Sequence, residues 1–235
     1  MVKVIDLPQD VPIRHAPFWL EGDTTTYGAG LDGVEQVMFT ENRRWVSEIE
    51  VPPLSASAAR IANVVGDQLR GRSNLLRIPL VNFGTAAFEG DEAAFYDSIG
   101  VPADDIARGY SLFSDGASFD DGSGFALPEH DEPTVVADVA AGASEIQMAG
   151  YLGRNIAVGA FFSINDFLYR VESNTDGAVT FNPPLRQDVT EGAQVEVSNP
   201  TILVRLRDDM GWKVVQQYGR YSKKMRVMVT EAFDR

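Results

Sequence analysis

Residues 161–186, FFSINDFLYRVESNTDGAVTFNPPLR, leave few folds open. Two apolar runs are broken near Asn165-Asp166. A polar turn at Asp176-Gly177 follows, and then a double proline. Asp-Gly between apolar runs favours a tight reversal, because both central residues of such a turn need positive φ. Apolar residues that alternate along the chain suit a pleated strand and not a helix. The stretch is therefore a β-hairpin, and Phe161, Phe162, Phe167 and Tyr169 are expected to serve its core. An exposed aromatic patch is the alternative reading of those four rings.

The hairpin has regular neighbours. TVVADVAAGASEIQMAG offers a strand, a glycine-containing turn and a second strand; GAVTFNPPL and AQVEVSNP add two more. Short strands at this spacing predict a small β-barrel or sandwich module over residues 135–199, closed by Pro200. Before it, VEQVMFTENRRWVSEIEVPP predicts two strands around a turn at Glu41-Asn42. Trp45, Ser47, Ile49 and Val51 alternate there with Val46, Glu48 and Glu50. Pro52-Pro53 ends the second strand, since proline cannot donate to the ladder.

A helix over about 55–70 comes next, capped by Ser55 or Ser57. Ala58, Ile61, Val65 and Leu69 fall on one face, and Gly71 supplies the stop. NLLRIPLV returns to strand. TILVRLR, WKVVQQYG and KKMRVMVTEAF predict C-terminal strands that pair with those near 34–52, which makes the small module an insertion. The expected division is thus a core domain of 1–88 and 200–235, an excursion of 89–134, and the inserted module. The whole is mainly β with one flanking helix. Trp45 and Trp212 are expected in the core, each in a strand.

The excursion is rich in Gly, Asp, Ser and Pro, yet it contains Phe95, Tyr96, Tyr110, Phe113, Phe119 and Phe125. Aromatic density of this kind argues for an ordered segment, and long ordered excursions serve function or interfaces. Residues 91–132 hold eleven acids and a single base, Arg108, whereas KVVQQYGRYSKKMR holds five bases and no acid. This asymmetry suits acid-to-base contacts between neighbouring copies. The candidate interface residues are Arg70, Arg72, Lys213, Arg220, Lys223, Lys224 and Arg226 on the basic side. Asp104, Asp105, Asp120 and Asp121 face them on the acidic side. A net charge of −14 opposes binding to nucleic acid phosphates.

The sequence points to no catalytic centre. Cysteine is absent, which removes disulfides, thiolate metal sites and cysteine nucleophiles together. His15 and His130 stand alone, each near a proline. TYGAGLDG contains Gly-x-Gly but reads as a turn, without the strand-to-helix context of a nucleotide loop. Asp115, Asp120 and Asp121 in DGASFDDGSG are the hard oxygen ligands calcium prefers, but their spacing is not that of an EF-hand, and a plain acidic loop is the simpler account. Acids are so frequent that no particular pair is selected for hydrolysis. No catalytic, cofactor-binding or metal-ligating residue is therefore assigned, and no cofactor is expected.

RRWVSEIEVPPLSASAARIANVVGDQLRGRSNLLRIPL, FFSINDFLYRV, GAVTFNPPLR and VEVSNPTILVRLRDD follow one another in a suggestive order. The chain resembles distal-tail-like and other tail-tip (baseplate) proteins of long-tailed bacteriophages and related prophages. In that family a tryptophan-bearing strand leads into a helix ending in a Leu-Arg-Gly-Arg-like stretch. A module with a Phe-rich strand, a Pro-Pro-Leu-Arg segment and an Asn-Pro exit comes later. The resemblance covers most of the chain outside 89–134, which is its main departure. It implies a β-sandwich with a flanking helix, joined to an inserted β module. It also implies a structural virion protein in a ring, usually sixfold, between tail tube and tip. The implied partners are further copies of itself, the tail tube protein and a tail-tip hub, with no nucleic acid and no membrane. The implied location is the virion tail tip, assembled in the host cytoplasm. A carbohydrate-binding or host-adhesion module is the alternative, resting on Tyr96, Tyr110 and Tyr169 as exposed rings.

Overall fold

The computed structural model describes all residues except 1, 15, 23, 30–34, 40–42, 81–87, 91–95, 97–99, 109, 114–116, 120–122, 127–131, 150–153, 216–220 and 234–235. It is mainly β, with two principal sheets. The chain divides into two compact units: Met1–Val81, Asn165–Leu168 and Asn199–Arg235 form the first, Asn82–Ile164 and Tyr169–Ser198 the second. The excursion of 89–134 belongs to the second unit, and residues 165–168 cluster with the first.

The first unit contains β1 (Val4–Asp6), β2 (Phe18–Glu21), β3 (Thr24–Ala29), β4 (Glu35–Phe39), β5 (Arg44–Val51), α1 (Ala56–Leu69) and β6 (Leu75–Pro79). The second contributes β7 (Phe88–Gly90), α2 (Ala103–Arg108), β8 (Tyr110–Ser111), β9 (Phe125–Ala126), β10 (Thr134–Val135) and β11 (Glu145–Ala149). It continues with β12 (Arg154–Ile156), β13 (Phe161–Ile164), β14 (Phe167–Thr175, of which Phe167 and Leu168 cluster with the first unit) and β15 (Ala178–Asn182). β16 (Thr201–Leu206) and β17 (Met225–Glu231) return to the first.

Six strands of the first unit form one sheet in the order β1-β6-β16-β17-β5-β2. β1 runs parallel to β6, and the other pairs are antiparallel. The predicted pairing of the C-terminal strand is present: Met225 faces Val51, Val227 faces Ile49 and Val229 faces Ser47. Alternation then puts Ile49, Val51, Met225, Val227 and Val229 on one face, joined through the register by Leu206, Val204, Leu76 and Ile5. All are buried. The opposite face carries Glu48, Glu50, Arg226 and Arg77.

Ser55 caps α1, its Oγ accepting from the Ala58 N–H at 3.3 Å. The helix reverses at Arg70 (φ 48°, ψ 52°), one residue before the predicted stop, and Gly71 follows at φ 65°. The buried stripe is Ala59, Ala62, Val65 and Leu69, while Ala58 and Ile61 are half-buried. The predicted face is therefore rotated toward the small residues. Trp212 shows how closely a neighbour approaches: its Nε1–H donates to the Ala62 carbonyl at 2.7 Å. A Cβ on Gly66 would lie 2.6 Å from Trp212 Cδ1. Side-chain size, more than hydropathy, sets the contact.

That contact also corrects the strand expected over WKVVQQYG. Residues 212–215 form no strand, because Trp212 is committed to α1; residues 216–220 lie outside the described set. Residues 24–29, which overlap the turn expected in TYGAGLDG, are strand β3, paired with β4 through a register shift between Thr26 and Ala29. β4 and β5 both exist as expected, but β4 pairs with β3 and β5 with β2. The expected turn residues 41 and 42 are outside the described residues.

In the second unit five strands curl in the order β10-β11-β15-β14-β13. AQVEVSNP, expected as a strand, makes isolated bridges instead: Gln194 to Thr134 of β10 and Glu196 to Ser163 of β13. Those bridges connect the two edge strands through one short segment, so the sheet wraps around its core. Phe162, Tyr169 and Phe181 are fully buried there, with ring centroids 5.2–5.5 Å apart. Asp176 and Gly177 both have positive φ, 51° and 87°, as the hairpin turn requires.

Candidate assembly surfaces

The C-terminal basic segment is partly consumed within the chain. Arg226 lies opposite Glu50 in the β17–β5 register. Glu50 Oε2 accepts from Lys224 Nζ at 3.0 Å and from Arg226 Nε at 3.3 Å, and Arg226 Nη1 also reaches Glu48 at 3.5 Å. Lys213 and Lys223 are exposed; the Lys223 backbone N–H donates to the Val215 carbonyl. Arg220 lies outside the described residues.

The Lys224 hydrogen bond, aided by the charges of Lys224 and Arg226, holds the Glu50 carboxyl below its ordinary pKa of 4.5. A lowered carboxylate pKa stabilises the fold above the unfolded value, and the contribution is lost as pH falls through the folded value. Protonated Glu50 no longer attracts its two cations. Lys224→Gln is expected to move the Glu50 titration upward in a carboxyl-detected NMR titration, so that the acid-side loss begins at higher pH. An unmoved titration would show that the pair does not persist in solution.

Arg70 and Arg72 are both exposed at the end of α1. The turn between them is fixed by Asp209, whose Oδ1 accepts from the Arg72 N–H at 3.1 Å. Positive φ at Gly71 suits glycine, and a Cβ there would meet Asp209 Oδ1 at 2.9 Å. Arg70 lines a groove of about 610 Å³ beside β1 and α1, with Lys3, Val4, Val64, Asp67 and Gln68 on its walls. The Lys3 backbone is pinned there: its N–H donates to Asn74 Oδ1 at 3.1 Å, and its carbonyl accepts from Leu75 at 2.9 Å.

Of the acidic candidates, Asp104 is exposed near the start of α2, and Asp105 pairs with Arg108 on the same helix. Asp115, Asp120 and Asp121 lie outside the described residues, as do His15 and His130. Among the described residues no group of three or more acids or histidines could hold a metal ion, and no helix is long and apolar enough to cross a membrane.

Sequence reasoning missed two arrangements. In the first, Arg77 binds Asp166 through two hydrogen bonds, Nε to Oδ1 at 2.9 Å and Nη2 to Oδ2 at 3.1 Å, and reaches Asp6 at 2.7 Å. Thr201 Oγ1 also donates to Asp166 at 2.7 Å. The Asp166 hydrogen bond raises the Arg77 pKa further. Positive φ at Asn165 and Asp166, 52° and 62°, aims this carboxylate; the Asn-Asp pair was the local signal. In the second, Phe113, Phe119 and Phe125 pack edge-to-face, centroids 4.9–5.2 Å apart, on the segment joining β8 to β9. Tyr169 belongs to the core, its phenol oxygen accepting from the Arg186 N–H, whereas Tyr96 and Tyr110 are half-buried.

No protein-family model matches the chain, and no curated protein matches it.

Proposed function

We propose that this protein is a structural virion subunit, one of the copies in a ring at the distal end of a siphophage-like tail, where it links tail tube to tip hub. The observation that carries the proposal is the arrangement of the chain. A six-stranded sheet with one flanking helix is interrupted after β6 by a curled β unit and resumes at β16. The tryptophan strand and the Leu-Arg-Gly-Arg helix end lie in the first unit, the Pro-Pro-Leu-Arg segment in the second, and the Asn-Pro exit where the chain returns to the first, in the order that the resemblance to distal-tail proteins implies. Free cations on one unit and a strongly acidic segment in the other supply complementary surfaces for like copies. The partners in this reading are identical copies, in sixfold symmetry, with the tube protein and the hub. The protein assembles in the host cytoplasm and resides in the virion tail tip.

Purified full-length protein is expected to sediment as a multiple of its 25.7 kDa chain mass and to give closed rings in negative-stain electron microscopy. Sedimentation at the single-chain mass up to 100-fold above the lowest loading concentration would overturn the proposal.

A further inference from the structure

We infer that residues 135–143 and 185–193 form a latch, related by a local twofold, that closes the curled sheet of the second unit and opens only as a whole. This goes beyond the ring reading and does not depend on it. The two segments, VVADVAAGA and LRQDVTEGA, share Asp-Val-x-x-Gly-Ala at the same places. The geometry uses the shared residues in the same way on both sides. Gly142 and Gly192 have positive φ, 88° and 78°, so the backbone favours glycine in both turns although a Cβ would meet nothing there. Val139 and Val189 face each other in an isolated antiparallel bridge and exchange both hydrogen bonds, each at 2.8 Å. Asp188 Oδ1 accepts from the Ala141 N–H at 2.8 Å, and Asp138 Oδ1 accepts from the Glu191 N–H at 2.7 Å. The exchange continues along the backbone. The Gly142 N–H donates to the Leu185 carbonyl and the Gly192 N–H to the Val135 carbonyl, both at 2.8 Å. The Leu185 N–H returns to the Ala143 carbonyl at 2.8 Å, and the Val135 N–H to the Ala193 carbonyl at 3.0 Å.

Reciprocity makes the contact all-or-none. Each segment is donor and acceptor for the other, so parting them breaks the backbone bonds and both carboxylate bonds in one event. Lateral support is sparse beside that of the main hairpin. β14 and β15 pair from Arg170 to Thr175, whereas these two segments meet in one bridge. The turn residues Ala140, Ala141, Gly142, Thr190, Glu191 and Gly192 are exposed. Backbone with few ladder bonds and open access to water opens below the free energy of global unfolding. Val135, Leu185 and Val189 are nevertheless buried, so the open latch uncovers apolar surface that the closed one hides. The latch also completes the wrap of the sheet. Gln194, just after one segment, bridges Thr134, just before the other. Parting the segments therefore releases the β10 edge while leaving the β14–β15 pairing in place.

Native-state hydrogen exchange of the full chain, followed by NMR at low urea, tests the latch. The amides of Val135, Val139, Gly142, Leu185, Val189 and Gly192 are expected to exchange through one common opening that is insensitive to urea and less protected than β14 and β15. Asp138→Ala should speed all six roughly three- to tenfold, including those in its own segment, to which Asp138 donates and accepts nothing. Asp188→Ala should speed the same six. A chain without cysteine permits a lock. Residues that exchange both bonds of an antiparallel pair have Cα atoms about 5.5 Å apart, within the roughly 4.4–6.8 Å that a disulfide spans. Oxidised Val139→Cys/Val189→Cys should slow Val135, Gly142, Leu185 and Gly192 until they exchange with β14 and β15, and reduction should restore their rates. This lock keeps the test decisive if an aspartate variant misfolds. Six amides with unrelated rates, or with the urea dependence of β14 and β15, overturn the latch as a separate opening unit. An Asp138→Ala effect confined to the Glu191 amide overturns its reciprocity. A thiol pair that does not oxidise, or a disulfide that leaves the four rates unmoved, overturns the closure itself.

Discussion

Replacing Trp45 with alanine is expected to destabilise the first unit by about 3–5 kcal/mol, a fall in Tm of roughly 6–20 °C for a chain of this size. The indole is fully buried on β5. Its Nε1–H donates to the Leu168 carbonyl at 2.7 Å, and its backbone N–H donates to the carboxylate of Glu231, itself buried. Alanine removes both the ring and the donor. Trp45→Phe separates the two effects: it keeps most of the volume but withdraws the hydrogen bond, and is expected to cost about 1–3 kcal/mol. Urea unfolding followed by fluorescence measures both, because Trp19 and Trp212 remain and belong to the same unit. A loss below about 1 kcal/mol for the alanine variant would mean that Trp45 does not anchor this core.

Where local chemistry decides, the sequence is legible. The Asp176-Gly177 turn, the Ser55 cap and the alternation through Trp45, Ile49 and Val51 all follow from a few adjacent residues, and all are present. Where a distant group decides, it is not. The buried stripe of α1 passes through Ala59 and Ala62, which no hydropathy pattern favours over Ile61. Its position follows from Trp212, 150 residues away along the chain, and from the missing Cβ of Gly66. WKVVQQYG reads as a strand, yet its first residue is claimed by the helix. The separation of charge was visible, but its use was not. Glu48 and Glu50, which the alternation marks only as polar strand positions, neutralise Lys224 and Arg226 within the sheet. The phenylalanine cluster was hidden for a related reason. Phe113, Phe119 and Phe125 are six residues apart, a spacing that fits neither strand nor helix periodicity, and only the loop brings the rings together.

Phe181→Ala is expected to cost the second unit about 3–5 kcal/mol, toward the upper end of the range for a large buried ring. Phe181 on β15 is 1% exposed and meets two rings edge-on, Phe162 at 5.5 Å and Tyr169 at 5.2 Å. Each such pair contributes about 0.5–1.5 kcal/mol beyond the area it buries. Truncation loses both and opens a cavity whose walls cannot easily close. Tyr169 is held on one side by the Arg186 N–H and on the other by stacking with Phe162 at 5.3 Å. Phe181→Leu fills part of that space and should lose less. Hydrogen exchange across β14 and β15 is the appropriate measurement, since protection there reports opening of this core. All three tryptophans lie in the first unit, so their fluorescence records separately how far that unit responds to damage in the second. Faster exchange in β14 and β15 with an unchanged tryptophan transition means that the two cores unfold independently. A joint shift means that the inserted unit and its host sheet unfold as one. Unchanged exchange in β14 and β15 would place Phe181 outside the core, and with it the packing assigned to the aromatic trio.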